Sequence, residues 1–252
     1  RTGGAGARIT AAEYSRKHRK AAQTLPLYTE LAALPEADDR TRTSVRHRLA
    51  ALELEARLQE GGWVDFLPTE QTDLNWVKMR GRDQRLPDGA LEVHSGHDGY
   101  LLFSRVHVGQ DFEVRGEFDV VRSSNRSFQA GLVLGLPDPA AYEWYAFRVK
   151  RNEVEGDIAS FARAWTKQQI YQPAQLNDDR NSFYLRLKSG KVTASVNGKE
   201  VFREAKPPRT IAVSRNEFFL VLGAFNDMNE TVIRYRNLQI RALPPGQRAG
   251  NN

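Results

Sequence analysis

At 252 residues, with 40% hydrophobic and 10% aromatic content, the chain is long enough for one large all-β domain, or for one domain with a small helical appendage. No apolar run approaches the roughly 20 residues that span a bilayer, and the absence of cysteine excludes disulfides and thiolate metal sites. The net charge of +6 allows contact with acidic polymers, but it is spread over many residues and weighted to the N-terminal quarter, which reads as a solvated surface with a basic tail rather than a nucleic-acid face.

Residues 1–10 are Gly-rich and lack both an initiator Met and the apolar core of an intact signal peptide, so the chain reads as a processed or truncated product. Thr10 followed by Glu13 has the capping-box pattern and predicts a helix over 11–23, carrying the basic run Arg16–Lys20. Pro26 is expected to interrupt it, with a second short helix at Leu27–Leu34. Asp39 or Thr41 can cap a third helix reaching Glu60, where Val45, Leu49, Leu52 and Ala56 recur at helical spacing, Leu54 and Leu58 broaden the stripe, and Gly61-Gly62 stops it. A lone helical hairpin cannot bury its own apolar face, so it must dock on the following domain, on a partner or on a preceding region.

From Trp63 the period changes to two. Short strands are expected at Trp63–Leu67, Ala90–Val93, Tyr100–Ser104 and Asp111–Val121. In the last of these Phe112, Val114, Gly116, Phe118 and Val120 share one face, and Glu113, Arg115, Glu117 and Asp119 the other. Ser127–Lys150 reads as a hairpin about a Pro-Asp-Pro turn. Further strands follow near Asp157–Ala162, Gln168–Tyr171, Ser182–Lys188, Val192–Val196, Glu200–Arg203, Glu217–Ala224 and Glu230–Arg241, with Asn197-Gly198 as a two-residue hairpin turn. No helical run separates these strands, which excludes βαβ crossovers. The fold class is an all-β, jelly-roll-like antiparallel sandwich with an N-terminal α-helical segment. The division is a helical segment at 1–61, the sandwich at 62–243 and a flexible tail at 244–252.

Three phrases carry a family resemblance: LPDGALEV with FEVRGEFDV, AGLVLGL with YEWYAFRV, and FYLRLKSGKVTASVNGKEVF. Together they resemble the concanavalin A-like lectin/glucanase sandwich, a superfold shared with laminin-G-like domains. Within it the order of motifs is most similar to 3-keto-disaccharide hydrolase domains and to sandwich domains of planctomycete-type bacteria. The resemblance implies a carbohydrate-related role in an extracytoplasmic setting (secreted, periplasmic or cell-surface), and an optional structural calcium as the one cofactor. Two departures move the reading from catalysis towards binding. Where that family opens its hairpin with Asn-Ser-Gly, this chain has Ser127-Phe128-Gln129-Ala130-Gly131, and the following strand ends in Arg148, Lys150 and Arg151 rather than in acids. The glucanase carboxylate signature E-x-D-x-x-E is also absent.

In Tyr142–Lys150, alternation assigns Tyr145, Phe147 and Val149 to the core and turns Tyr142, Trp144, Ala146, Arg148 and Lys150 outward. An outward indole beside a guanidinium suits a sugar: the ring stacks on C–H faces and the N–H donors reach hydroxyls or a carboxylate. Gln129 can add an amide, and Trp165 and Tyr171 can rim the same groove. A glycosidase needs two carboxylates roughly 5–10 Å apart; Glu113, Glu117 and Asp119 are the candidates. His94 and His97 show an H-x-x-H spacing beside Glu92, with His107 further on, in a Gly-rich turn. Asp178, Asp179 and Asp227 could offer oxygens to calcium. The leading function is a non-catalytic recognition module that binds a glycan or a protein partner through one sheet face. A hydrolase acting on (3-keto-)glycosides and a structural subunit that assembles through the N-terminal helices are the alternatives.

Overall fold

Alternation sets the faces of the central strand. In Phe112–Arg122 the side chains of Phe112, Val114 and Phe118 are buried and Arg115 is exposed. The computed structural model describes residues 8, 12, 21–35, 38–67, 76–95, 100–104, 106, 108–109, 111–123, 127–135, 144–152, 156–163, 169–206, 219–224 and 231–244. They form helices α1 (Ala21–Ala32) and α2 (Asp39–Gln59) and strands β1 (Val64–Asp65), β2 (Trp76–Arg80), β3 (Arg82–Arg85), β4 (Leu91–Ser95), β5 (Tyr100–Ser104), β6 (Phe112–Arg122), β7 (Phe128–Gly135), β8 (Trp144–Asn152), β9 (Gly156–Arg163), β10 (Gln169–Pro173), β11 (Arg180–Lys188), β12 (Lys191–Val196), β13 (Lys199–Ala205), β14 (Phe219–Ala224) and β15 (Thr231–Ala242).

The strands make two antiparallel sheets. One has the order β13-β12-β11-β6-β15-β4-β3, with β1 also on β15; the other is β10-β9-β8-β7-β14-β5-β2. This is the expected jelly-roll-like antiparallel β-sandwich. Inward side chains of both sheets form one core. Between the sheets Phe118 meets Phe128 in an edge contact, ring centroids 6.1 Å apart, and Phe183 meets Phe147 in a tilted one at 6.3 Å. A Cβ at Gly116 would lie 2.9 Å from Phe183, so the missing side chain makes room for that ring.

β2 and β3 are strands that periodicity does not show. β3 reads Arg-Asp-Gln-Arg and is almost wholly exposed at the edge of its sheet, pairing only with β4. Charge at an edge discourages further strand pairing and leaves no apolar alternation to read.

One expectation about the helices is corrected. α1 runs through Pro26 instead of breaking there. Pro26 and Ala22 are both exposed, so the Ala22 carbonyl that loses its N–H partner lies on the solvent side of the helix. The buried row of Ala21, Thr24, Tyr28 and Leu31 meanwhile holds the helix against α2. The predicted helix over 11–23 lies mostly outside the described residues.

α2 docks on the following domain, the first of the three expected options. Asp38 caps it, accepting from the Thr41 N–H at 2.7 Å. Val45 and Leu52, with Leu49 and Ala56, pack with α1. Ala51, Leu54 and Leu58 point another way and join the core of the sandwich beside Val64, Phe66 and Leu67. The broad stripe is thus two stripes with two different partners. No helix among the described residues is long and apolar enough to cross a membrane.

Candidate functional site

β8 displays the two faces expected of it. Phe147 and Val149 are fully buried in the core, and Arg148 and Lys150 alternate with them on the outer face, both half-buried. Register fixes their neighbours. Arg148 lies opposite Gly131 on β7 and Ser160 on β9, and Lys150 lies opposite Gln129 and Ile158. Ser160 in turn pairs with Tyr171 on β10, and Gly131 with Gly223 on β14. Gly223 pairs with Leu101, and Leu101 with Arg80 of β2.

One row across the seven-stranded sheet therefore reads Tyr171, Ser160, Arg148, Gly131, Gly223, Leu101 and Arg80. Tyr171 is 60% exposed and Ser160 only 2%. Ala146 and Ile158, which also face outward, are buried as well. The row therefore combines a recessed stretch, an exposed aromatic ring and a guanidinium. Beside Arg148 lie two consecutive positions without side chains. Spacing between paired strands is about 4.8 Å, so Tyr171 and Arg148 stand about 10 Å apart.

The glycine at 131 is required by the backbone. Its φ is +154°, and a Cβ there would meet the Phe147 carbonyl oxygen at 2.1 Å. Tyr235 reaches the same peptide from the opposite sheet: the Gly131 N–H donates to the Tyr235 Oη at 3.1 Å. Tyr235 is fully buried, and burial holds its phenol far above the ordinary tyrosine range, so the hydroxyl stays protonated.

Of the sequence-expected ligand residues, the register brings Gln129, Arg148 and Tyr171 to this one face. The backbone of Trp144 heads β8 opposite Gly135; its side chain, with Tyr142, Tyr145, Trp165, His97, His107 and Asp227, lies outside the described residues. Gly131, Gly223 and Ser160 are contributors that the sequence reading missed. The phrases AGLVLG and VLGA each carry the relevant glycine, but only strand pairing aligns them.

Arg151, at the end of β8, has a structural job. It donates to both Asp157 oxygens (2.7 and 3.1 Å), to Asp178 (2.7 Å) and to the Leu176 carbonyl (3.1 Å). This also occupies an oxygen of Asp178, one of the calcium candidates. Asp179 offers its carbonyl to the Val120 N–H, and the Asn181 side chain closes the loop on the backbone of Asn177, accepting from its N–H at 2.8 Å and donating to its carbonyl at 3.1 Å. Among the described residues no group of three or more His, Cys, Asp or Glu side chains is placed to hold a metal ion.

The carboxylate candidates of β6 lie on the outer face of the other sheet, and arginines flank each of them. Glu113, 4% exposed, accepts from Tyr184 Oη at 2.8 Å and from Arg241 Nε at 2.5 Å. Burial first, then this bond, pushes the Tyr184 phenol up to about 12. Asp119 is held by Arg180 (3.0 Å) and by Arg236, which also reaches Asp88 at 2.7 Å. Glu117 accepts from Asn237 at 3.2 Å and lies 3.9 Å from Arg180. Arg115 and Arg241 stack on the Trp63 ring, 4.3 and 4.7 Å from its centroid. The shallow open groove at this end, lined by Asp119, Asp179, Arg180 and Arg234 among others, is walled by the same ion pairs. Cross-strand pairing of opposite charges explains this face: β6 contributes acids, and β11 and β15 contribute bases opposite them. His94 belongs to a similar cluster, 3.1 Å from Glu92, which also accepts from Gln84 at 2.8 Å and from Arg234 at 2.7 Å.

Neither a family model nor a curated protein sequence matches the chain. Solved structures match its fold. The apo Crh5 transglycosylase aligns with a TM-score of 0.52 at 13% identity, covering 73% of this chain and 85% of that one. A Bacillus subtilis protein with a galectin-like fold aligns at 0.50 and 12% identity, covering 69% and 92%. The carbohydrate-binding module CBM66 from Bacillus subtilis aligns at 0.49 and 14% identity, covering 67% and 96%.

Proposed function

We propose that the chain is a glycan-recognition module that works outside the cytoplasm and binds its ligand on the outer face of the seven-stranded sheet. The observation that carries this reading is the row through Arg148. An exposed tyrosine, a half-buried arginine and a strip free of side chains follow one another across adjacent strands. A sugar ring has weakly polar C–H faces and an edge of hydroxyls. An aromatic ring takes the first and a guanidinium the second, while the Gly131–Gly223 strip lets a ring approach the backbone. The fold is compatible with such a role, since the Crh5 transglycosylase, also solved in complex with NAG, is built on it.

Binding is favoured over hydrolysis by where the acids lie. The described outward positions of the seven-stranded sheet carry no Asp or Glu, whereas glycoside cleavage needs a pair of them in one groove. The carboxylates of β6 lie on the far face of the other sheet and are engaged by arginine and tyrosine.

The test is retention on a panel of immobilised glycans. Tyr171→Ala and Trp144→Ala are each expected to weaken retention by at least about tenfold, the loss of roughly one aromatic contact, with an unchanged thermal midpoint. Undiminished retention in both variants would remove the assignment, and so would release of reducing sugar by the wild type.

A further inference from the structure

The ends of the two sheets differ in how they are guarded. An edge strand offers a row of unpaired N–H and C=O groups, and charge or a bulge on it keeps a second strand away. β13 carries Lys199, Glu200, Arg203 and Glu204, with register shifts against β12 and a positive φ at Glu204. β3 carries Arg82, Asp83 and Arg85, and β2 carries Lys78 and Arg80. β10 reads Gln-Ile-Tyr-Gln-Pro and has no charge. It closes the seven-stranded sheet, and among the described residues no strand pairs with its other side. Tyr171 is 60% exposed there, and Gln172 and Pro173 are exposed as well.

Register decides which groups this edge presents. The Ala174 N–H, just past the strand, donates to the Asp157 carbonyl at 2.8 Å. Backbone groups of an antiparallel strand alternate between its two sides. Gln172 and Ile170 therefore also turn theirs towards β9, and Gln169, Tyr171 and Pro173 turn theirs outward. Pro173, which has no N–H, stands where its missing donor costs the ladder nothing. We propose that this edge is a homodimer contact, in which β10 pairs antiparallel with β10 of a second copy about a two-fold axis through Tyr171. A second copy is the occupant because the edge is complementary to itself. Each Tyr171 exchanges N–H and C=O bonds with Tyr171 of the other copy, and the Gln169 N–H of each copy donates to the Pro173 carbonyl of the other. This register asks nothing of the Pro173 nitrogen. It also sets neutral residues against neutral ones, whereas the same pairing at β2 would bring the cations of both copies together. The two Tyr171 rings, about 5.5 Å apart at Cα, cover each other as an aromatic cross-strand pair. One sheet then runs through both copies and joins their outer faces. The contact does not depend on the glycan reading.

The experiment is sedimentation equilibrium of the full chain over a dilution series, with hydrogen exchange read residue by residue at the same concentrations. The expected result is a dimer that dissociates on dilution, since the contact is short beside a standard interface. The Tyr171 amide should gain protection as concentration rises, while the amides of β13 do not. Gln169→Pro removes only outward N–H groups. It should weaken the dimer at least about tenfold, through the bond lost from each copy, with an unchanged thermal midpoint for the monomer. Gln172→Lys, which puts a charge on the edge, should also weaken it and remains informative if the proline variant fails to fold. A chain that stays monomeric at about millimolar concentration overturns the inference. So does a dimer whose Tyr171 amide exchanges as fast as it does in the monomer. Protection of that amide that is independent of concentration and travels with a co-purifying polypeptide overturns the second copy as the occupant.

Discussion

Tyr235 crosses the core from the eight-stranded sheet so that its hydroxyl can accept from Gly131, the residue beside Arg148. The bond satisfies a peptide N–H that the unusual φ of Gly131 turns towards the core. Tyr235→Phe keeps the ring and removes the acceptor. It should cost about 1–3 kcal/mol, the penalty of a buried donor left without a partner, read by urea unfolding. Hydrogen exchange at the Gly131 amide should accelerate beyond the global change; an unaltered rate would show that the phenol does not hold this peptide. Glu92 offers a pH test. Burial pushes its pKa up, but bonds from Arg234, His94 and Gln84 outweigh that and leave it below its ordinary value of 4.5. A depressed folded pKa means stabilisation that is complete above the ordinary value and lost as pH falls through the folded one. Glu92→Gln should therefore destabilise the protein near neutral pH and make little difference once the wild-type carboxylate is protonated. Denaturant unfolding at about pH 7 and about pH 3 checks this, and an equal penalty at both would refute it.

At the scale of elements, Asn197-Gly198 is the clearest case of local sequence deciding structure. Both residues have positive φ, +49° and +75°, as a type I′ hairpin turn demands. Asn197 also ties the turn to its surroundings: its side chain accepts from the Ser182 N–H at 2.8 Å and donates to the Gln175 carbonyl and to Asn181. Asn197→Ala loses both the backbone preference and these bonds, and should cost about 2–3 kcal/mol, whereas Asn197→Asp should keep the Ser182 contact and lose less; a thermal-unfolding series compares them. Such turns, and strands like β6 whose inner face is apolar, were legible in the sequence because one local pattern sets each of them. β3 was not, because a charged edge strand has no pattern to read. Pro26 misled for a different reason: packing of Tyr28 and Leu31 on α2 outweighs one lost hydrogen bond. The site was legible in part. Alternation alone turns Arg148 outward, but the alignment of Gly131 with Gly223 depends on β14, far off in sequence, pairing beside β7.

For the whole molecule, the deciding feature is how the helices join the sandwich. Had α2 carried one apolar stripe, the hairpin would have been a separate unit waiting for a partner. Instead Leu52 and Val45 face α1, while Ala51, Leu54 and Leu58 enter the core that both sheets share. The link is reinforced where the chain leaves the helix, since Trp63 is stacked by Arg115 and Arg241 and β1 pairs with β15. Helix and sandwich should therefore unfold together. Ellipticity at the helical minimum and tryptophan fluorescence should trace coincident transitions in denaturant, as an all-or-none process requires. Leu58→Ala, which opens a cavity at the seam, should shift both by the same amount, about 2–5 kcal/mol. Leu52→Ala, at the α1 side, should increase exchange in α1 more than in the strands. If the helical signal melts first and the fluorescence transition is untouched by Leu58→Ala, the hairpin is an independent unit and α2 contributes nothing to holding the sheets.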